Sequence, residues 1–183
     1  GQYLQGISIF DGKWDGMKIQ NNAIVLNTWN AIVLNGVANA TVANNTLVSF
    51  EPKVHAIWIS VGNAKDGTQS RNVRVANNIT PVIRLAGSTV RGDKNMISNT
   101  YSTSPDGKTW TDTSAAGTLP GGNVILKTLY QNLAKIDNNA QLYDLRVKEG
   151  AIAIINGAMD IAPTSDIDGN TRRRPDYVGS YAR

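Results

Sequence analysis

Lys53 and His55 lie two residues apart in EPKVHAIW, and Arg84 sits in PVIRL. A lysine or neutral histidine can take the proton from a carbon next to a carboxylate, and an arginine can neutralise the charge that then develops. Lys53, His55 and Arg84 are therefore the candidate catalytic groups, and the chemistry they suit is elimination across a uronic acid. Trp58 offers an indole face on which a sugar ring can stack, and Arg84 a planar, two-donor grip on a carboxylate. The competing readings are a local cation–π contact for Trp58 and Arg84 and a solvated loop residue for His55. A second group is FDGKWDG, where Lys13 and Trp14 lie between Asp11 and Asp15. Lys13 and Trp14 are further candidates for holding substrate. The two carboxylates could act as the acid and base of a glycoside hydrolase. They are too few for calcium by themselves, although calcium is the one ion that suits them. The glycines and aspartates here also make ordinary turns. No cofactor is expected.

Several classes of chemistry are excluded. There is no cysteine, so neither thiolates nor a disulfide framework are available. A phosphate-binding glycine loop, a GxSxG elbow and an HExxH pair are all absent. The formal charge of +4 comes from 18 basic and 14 acidic residues, and Arg172–Arg174 supply most of the excess. One arginine run does not make a nucleic-acid surface. No apolar run reaches membrane-spanning length. No signal peptide opens the chain, and GQYLQGISIF already reads as folded strand, which suggests a late portion of a longer polypeptide.

The elements that must position these residues show in two repeats. Asn-Asn pairs occur in IQNNAI, VANNTL and VANNIT, with a weaker version in ISNTYS. Their first asparagines, Asn21, Asn44, Asn77 and Asn99, are 23, 33 and 22 residues apart. The second repeat is the triplets ISI (7–9), IVL (32–34), IWI (57–59) and IRL (83–85), spaced by about 25 residues. The large outer residues of each triplet can face one core, which turns Ser8, Val33, Trp58 and Arg84 outward in a column. Between triplets lie an asparagine-ended strand and a third short strand, at 23–26, 46–50 and 79–80. Three strands in about 25 residues leave no room for helical crossovers and suit a solenoid of stacked coils. Asparagine tolerates the left-handed backbone of a sharp bend, and its amide can bond to its equivalent one coil away. A β-sandwich has similar strand density but no reason to repeat Asn-Asn at equivalent turns.

After Tyr101 the repeat ends. Residues 102–122 read as a surface excursion carrying Trp110, and 124–136 fit a strand or a short helix. The rest reads as a cap. The division is coils over 1–101, then excursion and closing segment of the same domain over 102–183.

Coils of the form ISI…MKIQNN and IWI…VRVANN resemble the right-handed parallel β-helix proteins related to pectate lyases, especially their bacterial and phage carbohydrate-active relatives. The ending is also similar. Where many such proteins have DFRLKPGSPAIDAG, DIDGNPR and DIGAYE, this chain has YDLRVKEGAIAIINGA (143–158) and SDIDGNTRRRPDYVGSYA (165–182). It departs at Ala151-Ile152 and at Ala182, where Ser-Pro and Glu are usual. The resemblance implies an all-β, right-handed parallel β-helix with a non-repetitive C-terminal cap. It also implies activity on a polysaccharide, with lyases, hydrolases and epimerases all represented, or a non-catalytic glycan-binding or structural solenoid of a surface or phage tail protein. The expected setting is extracellular, on a cell surface or on a phage particle. The expected partners are an oligosaccharide or polysaccharide and the preceding part of the same polypeptide, with neither nucleic acid nor membrane insertion.

Overall fold

A computed structural model describes residues 5–50, 56–137, 139–140, 142–148, 157–158, 160–172 and 178–181. The first coil contains β1 (Ile7–Ile9), β2 (Lys18–Gln20) and β3 (Ala23–Leu26); the second contains β4 (Asn30–Asn35), β5 (Thr41–Ala43) and β6 (Thr46–Ser49). The third coil has β7 (Trp58–Gly62) and β8 (Val73–Ala76). From there single long strands turn the corner between coils: β9 (Ile79–Ala86) leads to β10 (Val90–Asp93), and β11 (Met96–Ser104) follows. Equivalent strands pair in parallel from coil to coil. The first sheet runs β1-β4-β7 and on to the second halves of β9 and β11, and the second sheet runs β2-β5-β8-β10. The third sheet is β3, β6 and the opening residues of β9 and β11. The protein is a right-handed parallel β-helix, the hand that connections between parallel strands take almost without exception.

Period-two alternation fills the interior. Ile32, Leu34, Val42, Leu47, Ile57, Ile59, Val61, Val75, Ile83 and Ile97 are wholly buried and belong to one core. The asparagine repeat forms the corner between the second and third sheets, in a register one residue later than the pairs suggest. Asn21, Asn44 and Asn77 take the left-handed backbone, with φ of 58°, 55° and 56°. The asparagine that follows each points inward. Asn22 donates its backbone N–H (3.0 Å) and its side-chain Nδ2 (2.8 Å) to Oδ1 of Asn45; Asn45 does the same to Asn78, Asn78 to Asn95 and Asn95 to Asn123. The Nδ2 groups of Asn45, Asn78, Asn95 and Asn123 also reach the carbonyls of Ile19, Val42, Val75 and Gly92, respectively, in the neighbouring coil. The fourth rung is thus Asn95, not Asn99, and its left-handed position is held by Lys94 at φ 53°. Asn99 lies within β11 and takes no part. The fifth corner is Gly122-Asn123.

The end beyond coil four is closed by reversal. β12 (Thr111–Thr113) pairs antiparallel with β11, and β13 (Gly117–Leu119) leads through a 3-10 turn into β14 (Asn123–Ile125), which pairs parallel with β11 and antiparallel with β13. The rest of the non-repetitive part lies along the side of the solenoid. A 3-10 turn (Leu129–Asn132) precedes the antiparallel pair β15 (Leu133–Asp137) and β16 (Leu142–Val147). With Val178 they bury Val48, Ile79 and Met96 on the outer face of the third sheet. That sheet is apolar on both faces because the chain covers its outside.

The closing segment is held by the left-handed asparagines, whose side chains point outward. Asn21 donates to the Ser165 carbonyl (2.6 Å) and accepts from buried Arg172 (2.9 Å). Asn77 Oδ1 accepts the Ala158 N–H (2.7 Å), and Arg74 bridges Asp93 and Asp160. Asp166 of the SDIDGN segment is buried and accepts from the N–H groups of Asp168 and Asn170, so it organises its own loop.

Two predictions follow from this geometry. Asn78→Ala strands the Asn45 N–H, takes a donor from the Val42 carbonyl and leaves Asn95 Oδ1 with the backbone N–H of residue 78 alone, and should cost about 3 kcal/mol or more in denaturant unfolding. Asn99→Ala should cost less than about 0.5 kcal/mol; equal losses would refute the ladder. The second concerns pH. A hydrogen bond from Arg74 holds the Asp160 carboxyl below its ordinary range. Its stabilising contribution is therefore full above the usual carboxylate pKa and is lost as pH falls through the lowered one. Asp160→Asn should flatten the acid side of the stability–pH profile, and an unchanged acid limb would sink this role.

Candidate functional site

The outward column of the first sheet is built from Ser8, Val33, Ser60, Arg84 and Ser102. Trp58 is not its third member, because the third coil is placed two residues later than the triplet spacing implies. Ile59 pairs with Ile32 and Ile83, and Trp58 with Asn30 and Val82. A shift of two residues leaves the in–out alternation intact, and IWISV buries Ile57, Ile59 and Val61 alike.

Trp58 and Arg84 nevertheless meet, on the diagonal. The small side chains of Ser60 and Ser102 flank Arg84 and leave it room to lie across the sheet. Its guanidinium carbon is 5.5 Å from the Trp58 ring centroid. It also lies over the Trp110 ring, 4.6 Å from its centroid. Trp110 is carried there by the tight turn after β11. Asp106 accepts the N–H groups of Lys108 and Thr109, both at 2.8 Å, and these bonds hold its carboxyl far below the ordinary range. The chain then pairs back as β12, with Thr111 opposite Thr103. On the far side of Trp58 the half-exposed Trp29 ring stacks at 6.3 Å and 19°. Trp58 Nε1 donates to Asn30 Oδ1 (3.1 Å), which fixes the ring's orientation.

The result is a row of Trp29, Trp58, Arg84 and Trp110 crossing the coils. The guanidinium carbon lies over both the Trp58 and the Trp110 rings. Its N–H edge makes no hydrogen bond or ion pair among the described residues. A guanidinium so placed can present a planar fork to an oxyanion. Asp112 continues the outward row beyond Ser102 without pairing with Arg84. Beside the start of these strands is a cleft of about 300 Å³ lined by Ala56, Pro81, Asn99, Lys127 and Tyr130, among others. Lys127 Nζ donates to the Asn99 carbonyl (3.1 Å) on its rim. Burial pushes the Tyr130 hydroxyl well above its ordinary pKa, so it stays a neutral donor, here to the Leu47 carbonyl.

The other sequence candidates are placed differently. Lys53 and His55 lie outside the described residues; Ala56 is the first described residue ahead of Trp58. Lys13 and Trp14 are exposed in the corner after β1, at the opposite end of the first-sheet strands from Trp29 and Trp58. Trp14 Nε1 donates to the Asp11 carbonyl (3.1 Å), and Asp15 Oδ1 accepts from Asn39 (2.7 Å). Lys13 lies near Asp66, whose carboxyl is lowered first by the Thr68 N–H and also by this lysine. Among the described residues no three metal-ligating side chains converge, and no helix is long and apolar enough to cross a membrane.

Trp29, Trp110 and Lys127 are the site residues that sequence spacing misses. Trp29 stands two residues before Ala31, at the same strand end as Trp58, but its coil's triplet begins only at Ile32. Trp110 arrives through a hairpin outside the repeat. The row predicts that Arg84→Met lowers stability by about 0.5–1 kcal/mol. Arg84→Met combined with Trp110→Ala should cost less than the two single losses added, because both remove one contact; strict additivity in denaturant unfolding would contradict the Arg84–Trp110 contact.

Comparisons with protein-family models, with curated proteins and with solved structures found no match. The architecture, a right-handed parallel β-helix, is therefore identified by the chain's own parallel register and buried asparagine ladder.

Proposed function

We propose that this β-helix binds an anionic, uronic-acid-containing polysaccharide outside the cell, on a cell surface or on a phage particle, and acts on it as a lyase. The observation that carries the binding is Arg84 beside Trp58 and Trp110, its N–H edge making no hydrogen bond or ion pair among the described residues. Sugar rings present apolar faces that stack on indole, and a uronate carboxylate matches the guanidinium fork. Elimination then requires one more group. A base takes the C5 proton, Arg84 neutralises charge gathering on the carboxylate, and the C4–O bond breaks, its electron pair leaving on the oxygen, which takes a proton from water, while a C4–C5 double bond forms. Lys53 and His55, a few residues ahead of Trp58 in the chain, are the candidate bases. The alternative, a binding module without catalysis, is favoured by one feature: among the described residues, no titratable base is bonded to or paired with Arg84. The acidic pair Asp11 and Asp15 supports a hydrolase less well, since Asp15 is engaged by Asn39.

Calorimetry with acidic oligosaccharides should show binding that Trp58→Ala or Arg84→Lys weakens about tenfold or more, with stability largely kept. Ultraviolet absorbance of the new double bond should appear with substrate and vanish in Lys53→Ala or His55→Ala. Binding without absorbance would leave the module reading. A folded protein that binds no acidic glycan would defeat both.

A further inference from the structure

The outer face of the second sheet carries a row of its own. The register of β2, β5, β8 and β10 aligns Lys18, Thr41, Arg74 and Arg91 across the coils. Arg74 and Arg91 are direct partners on neighbouring strands, about 5 Å apart along the backbone ladder. Like charges set opposite each other in this way repel. Asp93 offsets the repulsion by lying on the Nε edge of both, 2.6 Å from Arg74 and 3.5 Å from Arg91. Asp160 of the closing segment takes Nη1 of Arg74. Among the described residues Arg91 Nη1 and Nη2 and Arg74 Nη2 have no partner.

These arginines border a cleft of about 440 Å³, lined by Asn72, Val73, Arg74, Ser88, Thr89 and Arg91. The turn between β9 and β10 brings Ser88 and Thr89 to its wall. Thr89 Oγ1 accepts the Asn72 N–H (2.9 Å), which leaves the hydroxyl proton to donate elsewhere. Ser88 is exposed. Guanidinium and hydroxyl donors therefore reach the cleft from separate elements. A tetrahedral oxyanion can use donors arriving from several directions, whereas the two coplanar oxygens of a carboxylate are matched by a single fork. No aromatic ring lines the cleft among the described residues, so the stacking surface that flanks Arg84 has no counterpart here. The volume is that of a small-molecule site, and the remaining polar groups suit sugar hydroxyls.

We propose that this cleft is a second anion site, separate from Arg84, and that it holds a tetrahedral oxyanion, the sulfate or phosphate ester of a sugar. Arg91 is its principal ligand, Arg74 a second charge oriented by Asp93, and Ser88 and Thr89 donate hydroxyl protons to the remaining oxygens.

Calorimetry on the 183-residue chain tests this with three probes: inorganic sulfate, a sulfated galactan oligosaccharide, which carries no carboxylate, and a hexose 6-phosphate. At least one ester should bind saturably and more tightly than inorganic sulfate, and the tighter ester identifies the source of the oxyanion. Arg91→Gln should weaken that binding about tenfold or more. Ser88→Ala, which leaves every charge in place, should weaken it about threefold. Both residues are exposed, so both variants should keep the parent's unfolding midpoint. Arg84→Lys should leave ester binding unchanged. Ester binding indifferent to Arg91→Gln, or lost in Arg84→Lys, would overturn the proposal. Saturable binding of inorganic sulfate without either ester would mean an adventitious ion only and would overturn it too. So would an unsulfated oligogalacturonate whose binding Arg91→Gln weakens as much as that of the ester, since the site would then not select a tetrahedral anion.

Discussion

Every coil of this solenoid depends on one interaction, the buried amide of one asparagine accepting both the backbone and side-chain N–H groups of the preceding one. A sharp corner between sheets leaves backbone donors and carbonyls facing inward, and a buried unpaired amide costs about 1–3 kcal/mol. The chain Asn22, Asn45, Asn78, Asn95 and Asn123 meets that demand with one residue type. It also sets the phase of all three sheets. Strand register within a sheet is otherwise weakly specified, because aliphatic alternation tolerates a shift by two. The loops between coils can therefore differ in length without loss of stacking. Asn78 and Asn95 are adjacent rungs although only 17 residues separate them, whereas 33 separate Asn45 from Asn78.

The corner divides labour between neighbouring residues. The inward asparagine serves the core, and the left-handed residue before it faces the closing segment. That is why Asn21 and Asn77 bind residues of the closing segment, and why Lys94 and Gly122 suffice at corners where only the backbone shape is required. The closing segment that resembles a family ending is thus a strap on the coils. Its aspartate organises a loop instead of taking part in chemistry.

The sequence makes the architecture legible because its signal is repetition, and repetition needs no knowledge of long-range contacts. The pairs at 21–22, 44–45 and 77–78 and the triplets at 7, 32 and 83 each find their places. The failures have local causes. IWISV holds two overlapping triplets, so spacing alone selects the wrong one. KN at 94–95 hides a rung because lysine seldom adopts the left-handed backbone, and the more familiar-looking asparagine at 99 stands nearby. The site was half legible. Trp58 with Arg84 followed from neighbouring coils, although the contact is diagonal. Trp29 and Trp110 reach it through a corner and a hairpin that carry no periodic signal.

The strap also governs the order of events in folding. Arg172 bonds to Asn21 across 151 residues of chain, and Ser180 to Thr46 across 134. Contacts of such separation close late, since the entropy of a long loop must be overcome before they form. On a ribosome the coils emerge and stack from one end, each on its predecessor, well before the strap exists. Asn21 then stays bonded to water until a stretch made 151 residues later locks its coil. A nascent chain stalled before Arg172 would hold a stacked but unlatched solenoid, so protease resistance of the coil of Asn21 would report emergence of the strap.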